Sequence, residues 1–273
     1  MADFDKINVD GNVEDRRGAS LGPIAGISTV GIIMVLGFVM LTGGNLEDAL
    51  KAVTDVTSQA PQSSQQPGTF EDTKKYKEFA TKVLGSTNFV WEQQFKKEGY
   101  KYVPPKLVLF RNNTDSGCGG ADSRVGPHYC PTDKTIYLDE TFFEELTNKF
   151  GAKGGQVAEG YVIAHEVGHH VQHITGVFGQ LNVQDNAQSV LAELQADCYA
   201  GVWAKVIEDQ GIINASEIDQ AIDAASSVGD DRIQKKATGR VNPETWTHGS
   251  SVQRKGSFIK GFNTGDNNSC NLE

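Results

Sequence analysis

The sequence predicts an α+β fold: a mostly helical domain with a small sheet, preceded by one transmembrane helix. Three observations support this prediction. Long segments carry apolar residues at helical spacing, two short runs rich in Val, Ile, Leu and Thr are typical of strands, and one uninterrupted apolar segment lies near the N-terminus. The chain has 273 residues, 38% of them hydrophobic, which is enough to bury a sizeable core.

The apolar segment covers residues 21–41, LGPIAGISTVGIIMVLGFVML, and contains no charged residue. At about 1.5 Å of rise per residue, a helix of this length matches the hydrocarbon core of a bilayer. A buried core helix and a cleaved signal peptide are the alternatives. The segment is long for either, and no clear A-x-A cleavage site follows it. We therefore predict an uncleaved transmembrane anchor over residues 20–42.

Basic residues predict the orientation of this anchor. Lys6, Arg16 and Arg17 precede it, whereas Lys51 is the one basic residue that closely follows it. By the positive-inside rule, residues 1–19 form a cytoplasmic tail, and their polar composition predicts disorder. The prediction is a single-pass protein of the inner (plasma) membrane, with its C-terminal domain extracytoplasmic, in the periplasm.

The rest of the chain divides by composition. Residues 43–69 include a stretch rich in Ser, Gln and Pro, which predicts a flexible linker. Residues 70–273 are predicted to form the extracytoplasmic domain. The net charge of −10, without a basic stripe, argues against a nucleic-acid partner. The oligomeric state stays open.

Within this domain, hydrophobic spacing and turn residues predict the elements in order. Residues after Gly239 are predicted to be irregular. The predicted elements are a helix over Thr73–Lys97, a strand over Lys106–Arg111, a Gly-rich loop from Ser116 to Asp133, a strand running into a helix cap over Thr135–Phe142, and helices over Gln156–Thr175, Ser189–Asp209 and Ser216–Gln234.

All four cysteines, Cys118, Cys130, Cys198 and Cys270, follow the apolar segment. An even number in an oxidising compartment predicts two disulfides. Three pairings are possible, and pairing nearest neighbours joins Cys118 to Cys130 and Cys198 to Cys270. The alternative is a metal site formed by Cys118, His128 and Cys130, although these residues lack the CxxC spacing.

The helix predicted over Gln156–Thr175 carries the chemistry. It contains HEVGH, from His165 to His169, an HExxH pattern. Residues i and i+4 lie on one helical face, so both imidazoles can bind one Zn²⁺ ion, and Glu166 can reach a water molecule beside it. His173 continues the stripe, but about 12 Å of helical rise separates it from His165, too far to share the ion.

A third ligand is predicted on the next helix. Glu193 and Asp197 lie at i and i+4 within the apolar stretch LAELQADCYAG. Two antiparallel helices can then present His165, His169 and Glu193 to one ion, with Asp197 placed to bind the outer nitrogen of a ligand histidine. The alternative is a pair of solvated acids on a surface helix, which the apolar neighbours disfavour.

HEVGHH followed by ELQAD resembles the gluzincin metallopeptidases, which combine HExxH with a later ExxxD. Nearly the whole chain is similar to a bacterial family of neutral zinc metallopeptidases. The matching stretches are NVEDRRG (12–18), the single anchor, SGCGGADSRVGPHYCPTDKTIYLD, AHEVGHHVQ, AELQADCYAG and THGSSVQR. The resemblance implies a zincin-like domain with one Zn²⁺ ion, His165 and His169 as ligands, Glu166 as the catalytic carboxylate and Glu193 as the third ligand.

The function expected from these features is that of a membrane-anchored zinc metallopeptidase, most simply a metalloendopeptidase acting on peptide or protein substrates. Glu166 would act as general base towards a zinc-activated water. The tetrahedral oxyanion needs a second donor, for which His248, Arg254 and Tyr137 are candidates. His248 is the catalytic candidate in the predicted site, with an ordinary surface histidine as the alternative.

Two further expectations concern substrate and class. The strand TIYLD, from Thr135 to Asp139, precedes the active-site helix as the edge strand of a zincin sheet does, and is predicted to bind an extended peptide. The alternative function is a zinc-binding, catalytically inactive zincin-like module for interactions in the envelope. Glu166 distinguishes the two, since a binding module does not need a carboxylate beside the water.

Overall fold

The computed structural model describes residues 2–18, 73–182 and 184–272. The predicted transmembrane helix over residues 20–42 and the predicted linker over residues 43–69 lie outside this described part. Across the described ranges, no helix combines the length and the apolar character that a membrane crossing requires.

The described helices are numbered in chain order. Three of them confirm the helices predicted from residues 73, 156 and 189 to within a few positions. Their bounds are α1 Thr73–Lys97, α2 Phe142–Asn148, α3 Gln156–Ile174, α4 Asn186–Asp209, α5 Ala215–Ser227, α6 Asp230–Thr238 and α7 Ser251–Thr264.

Two helical predictions are wrong. The helix predicted over Ser216–Gln234 is broken into α5 and α6, and Gly229 lies at the break because an added Cβ would approach the backbone nitrogen of Ser251 to 2.3 Å. The irregular segment predicted after Gly239 contains α7. Its start carries a capping box, in which Ser250 and Gln253 bind each other's backbone, and the pattern S-x-x-Q was readable in the sequence.

In the part of the chain that the structure describes, the strands form one four-stranded sheet and one hairpin, so the mixed α+β class is confirmed. The sheet has the order β1-β2-β6-β5, with β1, β2 and β6 parallel and β5 antiparallel to β6. Strands β4 and β5 fall where a loop was predicted, and β3 lies almost entirely between that loop and the strand predicted over Lys106–Arg111. The bounds are β1 Val13–Asp15, β2 Lys106–Leu109, β3 Asn113–Ser116, β4 Gly119–Asp122, β5 His128–Cys130 and β6 Thr135–Leu138.

Residues 2–18 are part of the folded domain, so the prediction of a separate disordered tail over residues 1–19 is wrong. Val13, the first residue of β1, pairs with Leu107 of β2, and the register continues for two further residue pairs. Phe4 and Ile7 are buried in the main hydrophobic core. A three-residue strand with polar side chains carries no periodic signal, which is why composition alone suggested disorder.

The end of this N-terminal segment is held by buried charge. The Arg17 side chain is 4% exposed and donates to the carboxylates of Asp15 and Glu140, and Glu140 is fully buried. Arg111 also pairs with Glu140. A buried ion pair of this kind is costly to break, because either partner alone would remain as an uncompensated charge.

Glu159, on α3, belongs to the same charged region. Burial and the negative charge of Glu140 raise its pKa to about 7. The protonated form is favoured in the fold, so its contribution to stability is full below pH ~4.5 and is lost as the pH rises towards 7.

We expect Glu159→Gln, which removes this titration, to stabilise the protein by about 1–3 kcal/mol at pH 8 and by much less at pH 4.5. Urea unfolding of both proteins at the two pH values measures the difference. An equal effect at both pH values would show that Glu159 is not protonated in the fold.

Helices α4 and α7 touch through their backbones. An added Cβ at Gly201 would lie 2.0 Å from the carbonyl oxygen of Phe258, and one at Gly261 would lie 1.9 Å from that of Cys198. Only glycine permits this approach. The close contact brings the Arg254 side chain of α7 against α4, where the candidate site lies.

Candidate metal centre

Side chains from α3 and α4 converge at one point. His165 and His169 on α3 and Glu193 on α4 each offer a ligand atom, and these atoms all lie within 4.8 Å of one another. The Nε2 atoms of His165 and His169 are 3.2 and 3.3 Å from the carboxylate oxygens of Glu193. The structure thus brings together the three ligands predicted from the sequence.

Small residues let α3 and α4 approach closely enough for this convergence. An added Cβ at Gly168 would lie 3.0 Å from the backbone of Ala196. Gly168 stands immediately before His169, and Ala196 stands three residues after Glu193. Their lack of side-chain bulk therefore places the two helix faces at the distance that the ligand set requires.

Asp197 orients His165. Its carboxylate lies 2.9 Å from His165 Nδ1, and it also accepts hydrogen bonds from the Tyr161 hydroxyl and from Arg254. A carboxylate bound to Nδ1 holds the proton on that nitrogen and leaves the lone pair on Nε2 directed at the site. This is the position predicted for Asp197. Tyr161, a fully buried hydroxyl in the same group, was missed by the sequence reasoning.

The electrostatics of the group favour a cation. Burial acts against the charged form of His165, but its hydrogen bonds to Asp197 and Glu193 outweigh burial and raise its pKa to about 10. Burial likewise acts against the ionised form of Glu193, but the charge of His169 and hydrogen bonds from His165 and His169 hold its pKa well below the usual value. The buried, ionised carboxylate of Glu193 is therefore stabilised by positive charge at the point where the three side chains meet.

These residues fit a zinc ion. The Nδ1 atoms of His165 and His169 are bound to Asp197 and to Gln172, so both Nε2 lone pairs face the carboxylate of Glu193. Lone pairs facing a carboxylate at 3.2–3.3 Å need a proton or a metal between them. Two neutral imidazoles and one carboxylate form a common catalytic zinc set, with a fourth position left for water.

Glu166 follows the ligand residue His165 in α3 and is buried, with 7% of its surface exposed. Its carboxylate has no hydrogen-bond or ion-pair partner among the residues that the structure describes. Glu166 is therefore free to contact a bound water molecule or substrate.

His248 lies in the loop before α7, near Glu193. Its Nδ1 is 3.4 Å from Asp230, and that carboxylate also accepts from the backbone N–H groups of residues 247–249. Burial acts against the charged form, but Asp230 and Glu193 raise the pKa of His248. The side chain of His248 is half exposed. Asp230, which holds this loop, was not singled out in the sequence.

Two oxyanion candidates do not fit their predicted role. Arg254 is buried and occupied by Asp197, Tyr161 and the Val228 carbonyl, with Glu193 3.6 Å away, and Tyr137 donates its hydroxyl to Asp133. The prediction for TIYLD is also wrong, because β6 pairs on both sides, with β2 and β5. Among the described residues, β5 is the strand at this end of the sheet.

The remaining histidines of α3 are structural. Tyr129 on β5 bridges His170 and His173 through its hydroxyl, at 3.0 and 2.8 Å from their Nδ1 atoms. The Nε2 of His170 binds the carbonyl of Val103, and burial lowers the pKa of His170 to about 4. His173, which was excluded as a ligand by its distance from His165 along the helix, is thus bound to the sheet through Tyr129.

The cysteines form the nearest-neighbour disulfides, Cys118–Cys130 and Cys198–Cys270. The alternative metal site with His128 is excluded, because both of its sulfur atoms are bonded to each other. The second disulfide lies one helical turn beyond Glu193 on α4 and joins it to the C-terminal segment.

Two histidines one turn apart on a buried helix and a carboxylate from the following helix form the ligand set of a zinc-dependent peptidase, and the family comparison agrees with this class. The chain belongs to the family described as "Putative neutral zinc metallopeptidase", whose model matches residues 3–272. That match includes the N-terminal segment that contributes β1.

The chain is similar to proteins of other bacteria. The chain is 41% identical to the uncharacterized protein YpfJ of Escherichia coli (strain K12) over 274 residues, which cover 95% of this chain and 94% of that protein. It is 51% identical over 182 residues to the uncharacterized protein Rv2575 of Mycobacterium tuberculosis (strain ATCC 25618 / H37Rv), covering 62% of each chain. No solved structure matches the chain.

Proposed function

We propose that this protein is a zinc-dependent metallopeptidase that hydrolyses internal bonds of peptides or proteins. One observation carries the proposal: the two histidines of HExxH and Glu193 meet at one point, and the buried residue Glu166 follows His165 in the same helix. A metal-binding module needs the three ligands alone. Glu166 is a fourth group, which such a module would not need, and we assign it the role of catalytic base.

The chain's own residues have distinct roles in this proposal. His165, His169 and Glu193 would hold the Zn²⁺ ion, which when bound acts as a Lewis acid and makes water a stronger nucleophile. Glu166 accepts the proton of the attacking water and delivers it to the leaving amine. His248, oriented by Asp230, donates a hydrogen bond to the oxyanion as negative charge develops on the substrate carbonyl oxygen.

The surroundings of the site suit an extended peptide. Strand β5 pairs with β6 on one side, and Tyr129 joins it to α3, so a peptide added along β5 would run beside the metal ligands. A cavity of about 410 Å³ adjoins α4, lined by Val190, Leu194 and Trp246. Val190 and Leu194 flank Glu193 in the helix. We propose that this cavity receives an apolar side chain of the substrate.

The direct test compares wild-type protein with Glu166→Gln on a mixture of envelope proteins. Zinc content is measured first, and new peptide ends are then identified by mass spectrometry. The proposal requires peptide ends that appear with the wild type and are missing with the variant, although both bind zinc. Zinc binding without such ends would favour the inactive interaction module, and absence of zinc from both would exclude both functions.

We further propose that the domain works outside the cytoplasm, held at the plasma membrane by the apolar residues 20–42. The two disulfides support this location, because such bonds persist in oxidising compartments. The predicted single crossing with a cytoplasmic N-terminus does not fit the fold, however. Strand β1 pairs with β2 within one sheet, and strands cannot pair across a bilayer. Residues 2–18 must share the compartment of residues 73–272.

We expect cysteines placed at Asp5 and at Tyr100, two exposed positions on either side of the apolar segment, to react equally with a membrane-impermeant maleimide in spheroplasts. Protection of both until lysis would contradict the extracytoplasmic location. Reaction at Tyr100→Cys with protection of Asp5→Cys would contradict the shared compartment and restore the single crossing.

A further inference from the structure

His169 is oriented by a neutral amide, unlike His165, which is oriented by a carboxylate. Its Nδ1 lies 2.8 Å from Gln172 Oε1. An amide oxygen only accepts hydrogen bonds, so the proton lies on Nδ1 and the lone pair of Nε2 is directed at the metal position. The orientation of this ligand therefore depends on which way the Gln172 amide is turned.

Gln172 is turned by two acceptors on its other side. Its Nε2 donates to the carbonyl of Ala192 at 2.6 Å and to Oε1 of Gln195 at 3.0 Å. Rotating the amide by 180° would set its oxygen against both acceptors and its NH₂ against the proton of His169. Gln172 is fully buried, so water is not at hand to replace the lost bonds.

Gln195 is turned in the same way by the C-terminal segment. Its Nε2 donates to the carbonyl of Cys270 at 2.9 Å, which leaves its oxygen facing Gln172. Cys270 is bonded to Cys198, three residues after Gln195 on α4. The hydrogen bonds thus run in one direction, from His169 through two glutamines to a carbonyl that a disulfide holds in place.

We propose that Gln172 and Gln195 are positioning residues for the metal ligand His169, and that the Cys198–Cys270 disulfide anchors the far end of this relay. The inference rests on the proposed zinc site. Reducing the disulfide frees residues 267–272 from α4, removes the acceptor of Gln195 and lets both amides turn. The affinity for zinc therefore depends on the redox state of a bond that does not contact the metal.

The test measures the zinc dissociation constant of the full chain by competition with a chelator. Loss of a group that orients a metal ligand typically weakens binding 10–100-fold, which is the increase expected for Gln172→Ala. Gln195→Ala and the pair Cys198→Ser with Cys270→Ser are expected to give smaller increases. Binding of Co²⁺ in place of zinc, followed by its visible spectrum, reports whether ligand geometry has changed.

Two matched controls separate positioning from general loss of stability. Gln94 is similarly buried and donates to the carbonyl of Gly265, and in the described part of the chain it makes no hydrogen bond to a metal ligand or to either relay glutamine, so Gln94→Ala should change neither zinc affinity nor the Co²⁺ spectrum. Removing the Cys118–Cys130 disulfide should likewise leave zinc affinity unchanged. If the controls weaken zinc binding as much as the relay variants do, the relay is excluded.

Coupling between the relay members is decided by a double-mutant cycle. Once the Cys198–Cys270 disulfide is absent, Gln195→Ala should weaken zinc binding no further, because its anchor has already gone. Independent, multiplying effects would overturn the relay. If the wild type binds zinc and Gln172→Ala binds it equally well, the relay fails while the proposed function stands. If the wild type binds no zinc, both the relay and the proposed function are excluded.

Discussion

Glu166→Gln is expected to slow peptide-bond hydrolysis by about 10²–10⁴-fold while zinc remains bound at the wild-type level. The substitution preserves the shape of the side chain but removes its ability to accept a proton. Glu166 is not one of the three converging ligands, and it supports no hydrogen bond in the described part of the chain, so neither metal affinity nor stability should fall. Steady-state kinetics on a cleaved peptide and elemental analysis measure the two effects.

Glu159→Gln is the matched control for this result. Glu159 lies on the same helix and undergoes the same chemical change, but it belongs to the charged region around Glu140. Its hydrolysis rate should stay within about twofold of the wild type. If Glu166→Gln cleaves as fast as this control, a different group activates the water, and the peptidase mechanism proposed for this site is wrong.

Asp197→Ala is expected to destabilise the metal-free protein by about 3–5 kcal/mol. Asp197 is fully buried, and Arg254, which donates two hydrogen bonds to it, is 3% exposed. Without the carboxylate, the guanidinium remains buried without its main counter-charge. Tyr161 and His165 lose an acceptor at the same time. Chemical unfolding in the presence of a chelator measures the change without a contribution from metal binding.

The double variant Asp197→Ala with Arg254→Met separates the charge effect from simple loss of packing. Methionine fills part of the space without a charge, so the double variant should recover part of the stability that Asp197→Ala loses. Zinc affinity should not recover, since His165 still lacks the carboxylate on its Nδ1. Strictly additive losses would show that Arg254 and Asp197 act independently, contrary to their geometry.

The extent of successful prediction follows the range of the interactions involved. Helices α1, α3 and α4 were predictable because their periodic apolar residues face one core, and HExxH was readable because its geometry lies within one helix. Helix α7 was missed because its apolar residues are few. Its capping box was the available signal, and its burial depends on Gly201 and Gly261 meeting α4.

The segment over residues 2–18 shows the opposite case. Its composition is that of a disordered tail, and its three-residue strand has no stability of its own. It becomes ordered because its strand pairs with the edge of β2, and because Arg17 forms a buried ion pair with Glu140, which Arg111 also contacts. Such long-range pairing leaves little trace in local sequence, which also explains why the membrane orientation was predicted from the basic residues alone.

The sequence by itself determined the α+β class, the pair of histidines with Glu166 between them, and Glu193 with Asp197 as the completion on a second helix. These follow from spacing along a helix, which has one geometry. Only the tertiary structure decided that Arg254 donates hydrogen bonds to Asp197, that Gln172 and Gln195 link His169 to a disulfide, and that residues 2–18 belong to the domain. Each of these depends on contacts between distant segments, and their partners are chosen by packing and burial of charge.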